Sequence, residues 1–287
     1  MDLKYLLDTP PWDWPRDTGK RFLDVLRNNR ANRSDRMVAA ELAGDITVVN
    51  DDLAHALIAV AGSAEEPPKM RAKAAISLGP VLELGDTELI DTGEFEDPDM
   101  VPITETTFRD IQDSFQRLYL DDKIPKEVRR RILEASVRAA QPWHKDAIRA
   151  AYSSGDGEWM LTAVFSMRYV RGFEEQILES LKNPDPEIQY EAVSAAGNWE
   201  LEAAWPHIVA LVKDAGTPKP LLFEAIGAVA SIRPGEAREI LQDLADSDDE
   251  DIAETAVDAI AMAEGRTSED DEEDEDDEED DESGWVN

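Results

Sequence analysis

The sequence contains no cysteine, which excludes disulfide bonds, thiolate metal sites and a cysteine nucleophile. It also lacks an apolar run that approaches the roughly 18 residues needed for a membrane-spanning helix. Its first residues, MDLKYLLDTPPWDWP, have no basic region followed by an apolar one, and two prolines interrupt them early. Such a start is unlike an export signal. The sequence therefore predicts a cytoplasmic protein with no membrane partner.

Basic residues are few compared with acidic ones. The 287 residues include 29 lysines and arginines and 65 aspartates and glutamates, which gives a formal net charge of −36. An uninterrupted run of carboxylates extends from Glu269 to Glu282, and the rest of the chain is acidic as well. A negative field repels phosphate backbones and anionic membranes. We therefore expect no nucleic-acid partner and instead a protein partner with a basic surface.

Aromatic residues make up only 7% of the chain, and small apolar residues recur at a regular spacing instead. Five segments carry apolar or small residues at i, i+4, i+5 and i+8, which form one stripe on an α-helix. Their starts are 31, 29, 33 and 31 residues apart. The segments are VRRRILEASV from Val128, WMLTAVFSM from Trp159, IQYEAVSAA from Ile188, LLFEAIGAV from Leu221 and IAETAVDAI from Ile252.

A second apolar segment follows each of the first four at a matching spacing. Ile148, Ile177, Ile208 and Ile240 lie 29 to 32 residues apart, and prolines or glycines separate the segments. Two amphipathic helices in a repeat of about 31 residues cannot bury their apolar faces alone. We therefore expect neighbouring helix pairs to stack into an α-solenoid.

The pattern resembles the HEAT-repeat family, and most closely its bacterial members. The matching features are a proline and an acid before the first helix with an Ala-Val pair inside it, NPDPEIQYEAVSAAGNW, and a shorter second helix, AWPHIVALVKD. The resemblance implies an all-α fold, a right-handed α-α superhelix, with a cap at 1–33 and repeats at 34–265. It also implies a scaffold or adaptor that presents a concave surface to another macromolecule, although the fold does not identify that partner.

An acidic insertion interrupts the predicted repeats at 86–103. It contains seven carboxylates and no basic residue. Carboxylates at this density could supply the oxygen ligands that calcium requires, but the ordered spacing and the loop glycine of an EF-hand are missing. We interpret the insertion as a solvated acidic loop or short hairpin, with calcium binding as the alternative.

Basic residues concentrate between Lys123 and Arg149, where eight of them accompany three acids. In an acidic chain this segment predicts a docking surface for an acidic partner or for the chain's own tail. The alternative is a solvated helix face whose arginines balance the carboxylates of neighbouring repeats. The residues that we assign to partner binding are Arg129, Arg130, Arg131, Arg138, Lys145 and Arg149.

The acidic tail, residues 266–287, is predicted to be disordered because its carboxylates repel one another and it has almost no apolar residues. It ends in Ser-Gly followed by Trp285 and Val286. Burial of an aromatic ring provides affinity and carboxylates provide electrostatic steering. We therefore expect Trp285 and Val286 to bind a basic surface, either on a partner or intramolecularly on segment 123–149. Solubilisation alone is the remaining interpretation.

Residues suited to catalysis are sparse. Iron-dependent hydroxylases with HEAT-like repeats hold their metal with His-Glu pairs, whereas His55, His144 and His207 are each followed by another residue type. No nucleophile motif or phosphate-binding glycine pattern is present. We therefore expect no catalytic residue, metal site or cofactor, and a protein that is not an enzyme. Two alternatives remain: a subunit of an enzyme complex similar to HEAT-like bilin lyases, and an acidic chaperone or nucleic-acid mimic for a basic protein.

Overall fold

The computed structural model describes the backbone of residues 3–89 and 101–279 and the side chains of residues 3–87 and 101–266. All regular elements within these residues are α-helices or short 3-10 helices, with no strand, so the all-α prediction is confirmed. Nowhere in the same residues does a helix combine the length and hydrophobicity needed to cross a membrane. The chain forms two compact units, Met1–Thr162 and Ala163–Asn287.

The first unit begins with 3-10 turns at Lys4–Asp8 and Pro11–Asp13, and its helices then follow in close succession. These are α1 (Thr18–Arg27), α2 (Arg33–Leu42), α3 (Asp51–Gly62), α4 (Pro68–Ile76), α5 (Gly79–Leu89), α6 (Glu105–Leu120), α7 (Lys126–Ser136) and α8 (Pro142–Tyr152). The next helix, α9 (Gly157–Met167), contains the boundary between the two units. Helix α4 packs against α2, α3 and α7, and α6 packs against α3 and α7.

The N-terminal residues cover the first helices of this unit. Leu3 and Leu6 are buried, and the backbone N–H of Leu3 donates to Asp35 Oδ1 at 3.1 Å. The Trp14 ring meets the Phe22 ring edge to face, with centroids 5.8 Å apart. Trp12, by contrast, is 79% exposed. One of the two neighbouring tryptophans therefore belongs to the core of this unit, and the other faces solvent.

The second unit contains the most regular repeats. Its helices are α10 (Glu174–Ser180), α11 (Pro186–Asn198), α12 (Trp205–Lys213), α13 (Lys219–Ile232), α14 (Pro234–Ala245) and α15 (Glu250–Glu279). Helices α7, α9, α11, α13 and α15 are the first helices of successive repeats, and α8, α10, α12 and α14 are the second helices. Helix α13 packs against α11, α12, α14 and α15.

Proline and small apolar residues set where these helices begin and how closely they pack. Pro186 and Pro220 lie in the first turns of α11 and α13, where a missing N–H is tolerated. The side chain of Asp185 accepts a hydrogen bond from the Glu187 N–H and caps α11. A Cβ added to Gly197 would lie 3.2 Å from Ala228, so the absence of a side chain allows α11 and α13 to approach closely.

Helix α11 ends at a residue with positive φ. Glu200 has φ 51°, and the N–H groups of Glu200 and Leu201 donate to the carbonyls of Gly197 and Ala196. This pair of bonds is a Schellman motif, in which glycine is the usual residue at the left-handed position. Here glutamate occupies that position, and its side chain pairs with Arg266 at 2.5 Å.

The last helix extends into the acidic run. Helix α15 continues to Glu279, whereas the sequence predicts disorder from residue 266. Glutamate has a favourable helix propensity, and an existing helix adds residues more easily than a new one forms. Residues 280–287, with Trp285 and Val286, lie outside the described residues.

The acidic insertion differs at its edges from the predicted loop. Asp86 belongs to α5, and its burial raises the pKa of its carboxyl group. At the other end, Val101 and Ile103 are buried. Because residues 90–100 lie outside the described part, the solvated loop between these edges stays a prediction.

Candidate protein-binding surfaces

Arg130 of the basic segment lies inside the first unit. Its side chain is only 10% exposed, and its Nε donates to Thr162 Oγ1 at 2.9 Å. The Thr162 hydroxyl donates in turn to Glu134 Oε1 at 2.6 Å, and the Arg130 guanidinium pairs with Glu158 at 3.0 Å. The network joins α7 to α9 through hydrogen bonds and charge. Arg130 therefore supports the packing of repeats, and it is not presented to a partner.

Three more of the predicted binding residues have carboxylate partners in the first unit. Arg129 pairs with Asp122 at 3.0 Å and lies over the Tyr119 ring, 5.2 Å from its centroid. Arg131 pairs with Glu134, and Arg138 pairs with Glu83. Of these contacts, Arg138 with Glu83 corresponds to the alternative in which arginines balance the carboxylates of neighbouring repeats, while Arg131 pairs within α7 and Arg129 with a residue just before it. A role in partner binding would require the pairs to exchange, and for these residues it stays a prediction.

Lys145 and Arg149 on α8, together with Arg131 on α7, are the exposed members of the predicted set. Lys145 is exposed and forms no ion pair within the described part of the chain. The Arg149 side chain is 61% exposed and pairs with Asp146, itself 88% exposed, at 3.1 Å. An exposed pair of this kind is worth little and exchanges easily. If segment 123–149 binds an acidic ligand, α8 offers two exposed cations for it.

The two histidines of the first unit, His144 and His55, both lie close to polar groups of other residues. His144 is fully buried, and the Gln141 N–H donates to its Nδ1 at 2.8 Å while its Nε2 lies 2.9 Å from Ser136 Oγ. Burial lowers the pKa of His144 to about 4, although the bond from Gln141 acts in the opposite direction. In the first unit His55 lies 3.3 Å from Asp110 at the surface. Residues 3–87 and 101–266 contain no group of three or more potential metal ligands.

Acids dominate the second unit, and several of its bases are paired with them. Between residues 163 and 266 the chain has 21 acidic and 8 basic residues. Arg233 pairs with Glu202 and Glu236, and Arg238 with Glu264. The remaining acids outnumber the available bases by far. This unit therefore has an excess of negative charge that its own cations do not balance.

A lysine at the start of one repeat binds the acids that start the next. Lys219 Nζ lies 2.8 Å from Asp249 and 2.6 Å from Asp251. Hydrogen bonding to Asp249 and then Asp251 raises the pKa of Lys219, and the same contact to Lys219 lowers the pKa of Asp249. In the first unit Lys126 binds Asp156 in the same way, at 2.6 Å. The sequence analysis did not identify this ladder, although a Lys-Asp spacing of 30 residues could have revealed it.

Four acids near the end of the second unit take part in none of these ion pairs. Asp243 on α14, Asp246 directly after its end, and Glu254 and Asp258 on α15 are all exposed. Within the part of the chain that the structure describes, no lysine or arginine forms an ion pair with them. We refer to these four residues as the acidic end. Their charges are available to a ligand with basic groups.

The same unit has a shallow cleft of about 270 Å³, and the charged groups that line it are already paired. Its lining includes the Arg168 guanidinium, which contacts Ser194 and lies 3.7 Å from Glu224. Burial, followed by the hydrogen bond to Glu224, raises the pKa of Tyr190 to about 12. Gly227 leaves the cleft open, since no heavy atom lies within 4 Å of an added Cβ. The charges of the cleft are thus paired within the unit.

The second unit also matches a known family. Residues 174–261 match the family model described as HEAT repeats. Over this range the chain is similar to HEAT-repeat proteins. The matched range covers α10 to α14 and the first part of α15, so the resemblance is confirmed where the repeats are most regular. HEAT repeats provide a helical scaffold for interactions.

Comparison with individual proteins adds little about function. No curated protein matches the sequence. Among solved structures, human deoxyhypusine hydroxylase in complex with glycerol is similar at 17% identity with a TM-score of 0.38, over 89% of this chain and 93% of that one. YibA of E. coli is similar at 14% identity with a TM-score of 0.46, over 91% and 97%. Such distant likenesses assign no activity to this chain.

The comparison does correct one expectation. We expected a protein that is not an enzyme, and this prediction is wrong, because a hydroxylase is among the structures similar to this chain. A fold does not determine function, so the repeats give no ground for excluding catalysis.

Proposed function

We propose that this chain is a scaffold that binds a protein with a basic surface, through the acidic surface of its second unit. The observation that carries the proposal is the acidic end: Asp243, Asp246, Glu254 and Asp258 are exposed and have no cationic partner within the described residues. HEAT repeats supply the frame that holds these carboxylates in fixed positions.

Electrostatics supports a basic protein as the partner. The unpaired carboxylates add to the overall charge of −36, and complementary charge raises association rates and selects against acidic partners. The carboxylates from Glu269 to Glu282 extend the same field, and Trp285 with Val286 would add an apolar anchor beyond it. The proposal places this activity in the cytoplasm, which fractionation of the source cells would test.

Affinity capture with a matched control tests the proposal. The full chain is immobilised and exposed to a lysate of its source cells at low and at physiological salt, and bound proteins are identified by mass spectrometry. We expect one or a few basic proteins, whose capture weakens as salt screens the charges. A variant with Asp243→Asn, Asp246→Asn, Glu254→Gln and Asp258→Asn should lose them.

The control carries the same change of net charge in the first unit: Asp13→Asn, Asp24→Asn, Glu65→Gln and Glu127→Gln. It should capture the same proteins as the unmodified chain. Equal loss in both variants would show that net charge alone acts, and retention in both would contradict a role for the acidic end. Capture of many unrelated basic proteins would favour an acidic chaperone over a scaffold for one partner.

A further inference from the structure

One position of the repeat changes its environment at the last helix. The sixth residue of each repeated segment is fully buried in the preceding first helices, as seen for Leu133, Val164, Val193 and Ile226. Its equivalent in α15, Val257, is 51% exposed. Ala261 is exposed in the same way, although its equivalent in α13, Ala230, is fully buried. Residues of core type therefore face outward on α15.

These residues form one wall of a groove. Helix α15 contributes Val257, Ile260, Ala261 and Glu264, whose spacing of three and four residues places them on one face. Helix α14 and the residue directly after its end form the other wall with Arg238, Gln242, Ala245 and Asp246. The space between the walls is about 600 Å³. The groove lies entirely within the second unit.

The neighbouring helices explain why the groove is open. Helix α13 packs against helices on both sides, α11 and α12 before it and α14 and α15 after it. Among the described helices, α15 makes its main contacts with α13 and α14 only. The apolar face of α15 thus has the composition of a helix-packing surface, and no helix of the described residues covers it.

Charge indicates what kind of helix can cover this face. The only basic residue in the groove, Arg238, pairs with Glu264 at its edge. Asp246 lines the groove, and Asp258 and Glu254 adjoin Val257 on α15. A helix that binds in the groove therefore needs an apolar stripe to contact the apolar residues of α15 and basic residues on either side of the stripe to meet the carboxylates.

We propose that the groove between α14 and α15 binds an amphipathic helix of a partner protein, with apolar residues on one face and lysines or arginines beside them. The inference rests on the proposed function and specifies the chemistry of its partner. A second copy of the chain would bring a charge of −36, and the chain's own end would bring the run from Glu269 to Glu282, next to the same carboxylates. Repulsion between like charges opposes both of these occupants.

Fluorescence anisotropy with a model peptide tests the inference. The probe is a labelled helix of about 18 residues with leucines at i, i+3, i+4 and i+7 and lysines elsewhere. A control peptide has the same composition with the leucines distributed around the helix. The full chain is compared with Val257→Arg and with Met262→Arg, a matched substitution because Met262 is also 51% exposed on α15 but lies outside the groove.

We expect the patterned peptide to bind more tightly than the control peptide, and Val257→Arg to weaken its binding at least about tenfold. Met262→Arg, with the same change of charge, should have a much smaller effect. Unchanged folding of both variants is checked by circular dichroism, since both positions are exposed. This result would support a groove that recognises an apolar stripe with basic flanks.

Other outcomes would overturn the inference. Equal binding of the two peptides to the wild type and to Val257→Arg would show an acidic surface without a groove site, which leaves the proposed function intact. No binding of either peptide would contradict the inference directly. Self-association that Val257→Arg abolishes would assign the groove to a second copy. Peptide binding that is present only in Trp285→Ser would assign it to the chain's own terminus.

Discussion

Val257 and Ile226 occupy the same position in successive first helices, 31 residues apart, yet Ile226 is fully buried and about half of Val257 is exposed. The difference arises because α13 has repeats on both sides, whereas α15 is the last helix that the structure describes. One sequence position thus provides core packing in the middle of the array and a candidate binding surface at its end.

Because Ile226 is buried and Val257 is half exposed, truncation of the two side chains should lower the free energy of unfolding by different amounts. Ile226→Ala should lower the free energy of unfolding by about 2–5 kcal/mol, because it leaves a cavity in a packed core. Val257→Ala should lower it by less than about 1 kcal/mol, because the side chain is already half exposed. Guanidinium unfolding monitored by circular dichroism measures both. Similar losses for the two variants would mean that Val257 is covered in the native protein.

Arg130 should contribute to stability more than any exposed arginine of the basic segment. Arg130→Ala removes the donor to Thr162 and a partner of the buried Glu134, and should destabilise the fold by about 3 kcal/mol. The matched control, Arg149→Ala, removes an exposed pair and should remain within about 0.5 kcal/mol of the wild type. If the order were reversed in denaturant titrations, the network would not hold the repeats together.

Two glycines should respond in opposite directions to the same substitution. A Cβ at Gly44 would lie 1.7 Å from the carbonyl oxygen of Ser77, so Gly44→Ala must displace backbone and should destabilise the protein by more than about 2 kcal/mol. Gly227 lies within α13 with open space around the added Cβ. Gly227→Ala should therefore stabilise the protein by about 0.5–1 kcal/mol. Thermal melts of the two variants distinguish these effects.

His144 should make stability depend on pH. Burial lowers its pKa to about 4 in the folded protein, from an ordinary value of 6.5. Between pH 6.5 and about 4 the unfolded chain binds a proton that the folded chain does not, so this contribution is present at pH 7 and is lost progressively as the pH falls from 6.5 to about 4. The free energy of unfolding should fall by about 2 kcal/mol from pH 7 to pH 5.

A substitution at the same position provides the control. His144→Gln cannot titrate and can still accept the hydrogen bond from the Gln141 N–H, so its unfolding midpoint in urea should change less over this pH range. If both proteins lose equal stability between pH 7 and pH 5, other groups are responsible and His144 is not the source.

The arrangement of the repeats could be predicted because the buried positions of the helices recur at a regular spacing, and apolar residues therefore recur at that spacing in the sequence. Positions such as Ala192 and Val193 are buried as their spacing predicts, and the family match at 174–261 lies in the most regular part. Helix starts were also predictable, because a proline in the first turn, as at Pro186, marks a helix boundary.

Side-chain partners could not be predicted in the same way. Arg129 and Arg130 are neighbours in one basic run, but only the packing of α7 against α9 reveals that Arg130 is buried and satisfied by Thr162. Val257 is exposed because no helix of the described residues packs on that face of α15, and periodicity alone cannot show this.

Hydrogen exchange with mass spectrometry on the full chain tests the central claim most directly. The patterned basic peptide is added at saturating concentration, and backbone protection is compared with and without it. We predict new protection over residues 238–246 of α14 and 257–264 of α15, the two walls of the groove, and a loss of this protection in Val257→Arg. Protection that appears only in the first unit, or none at saturation, would contradict the account.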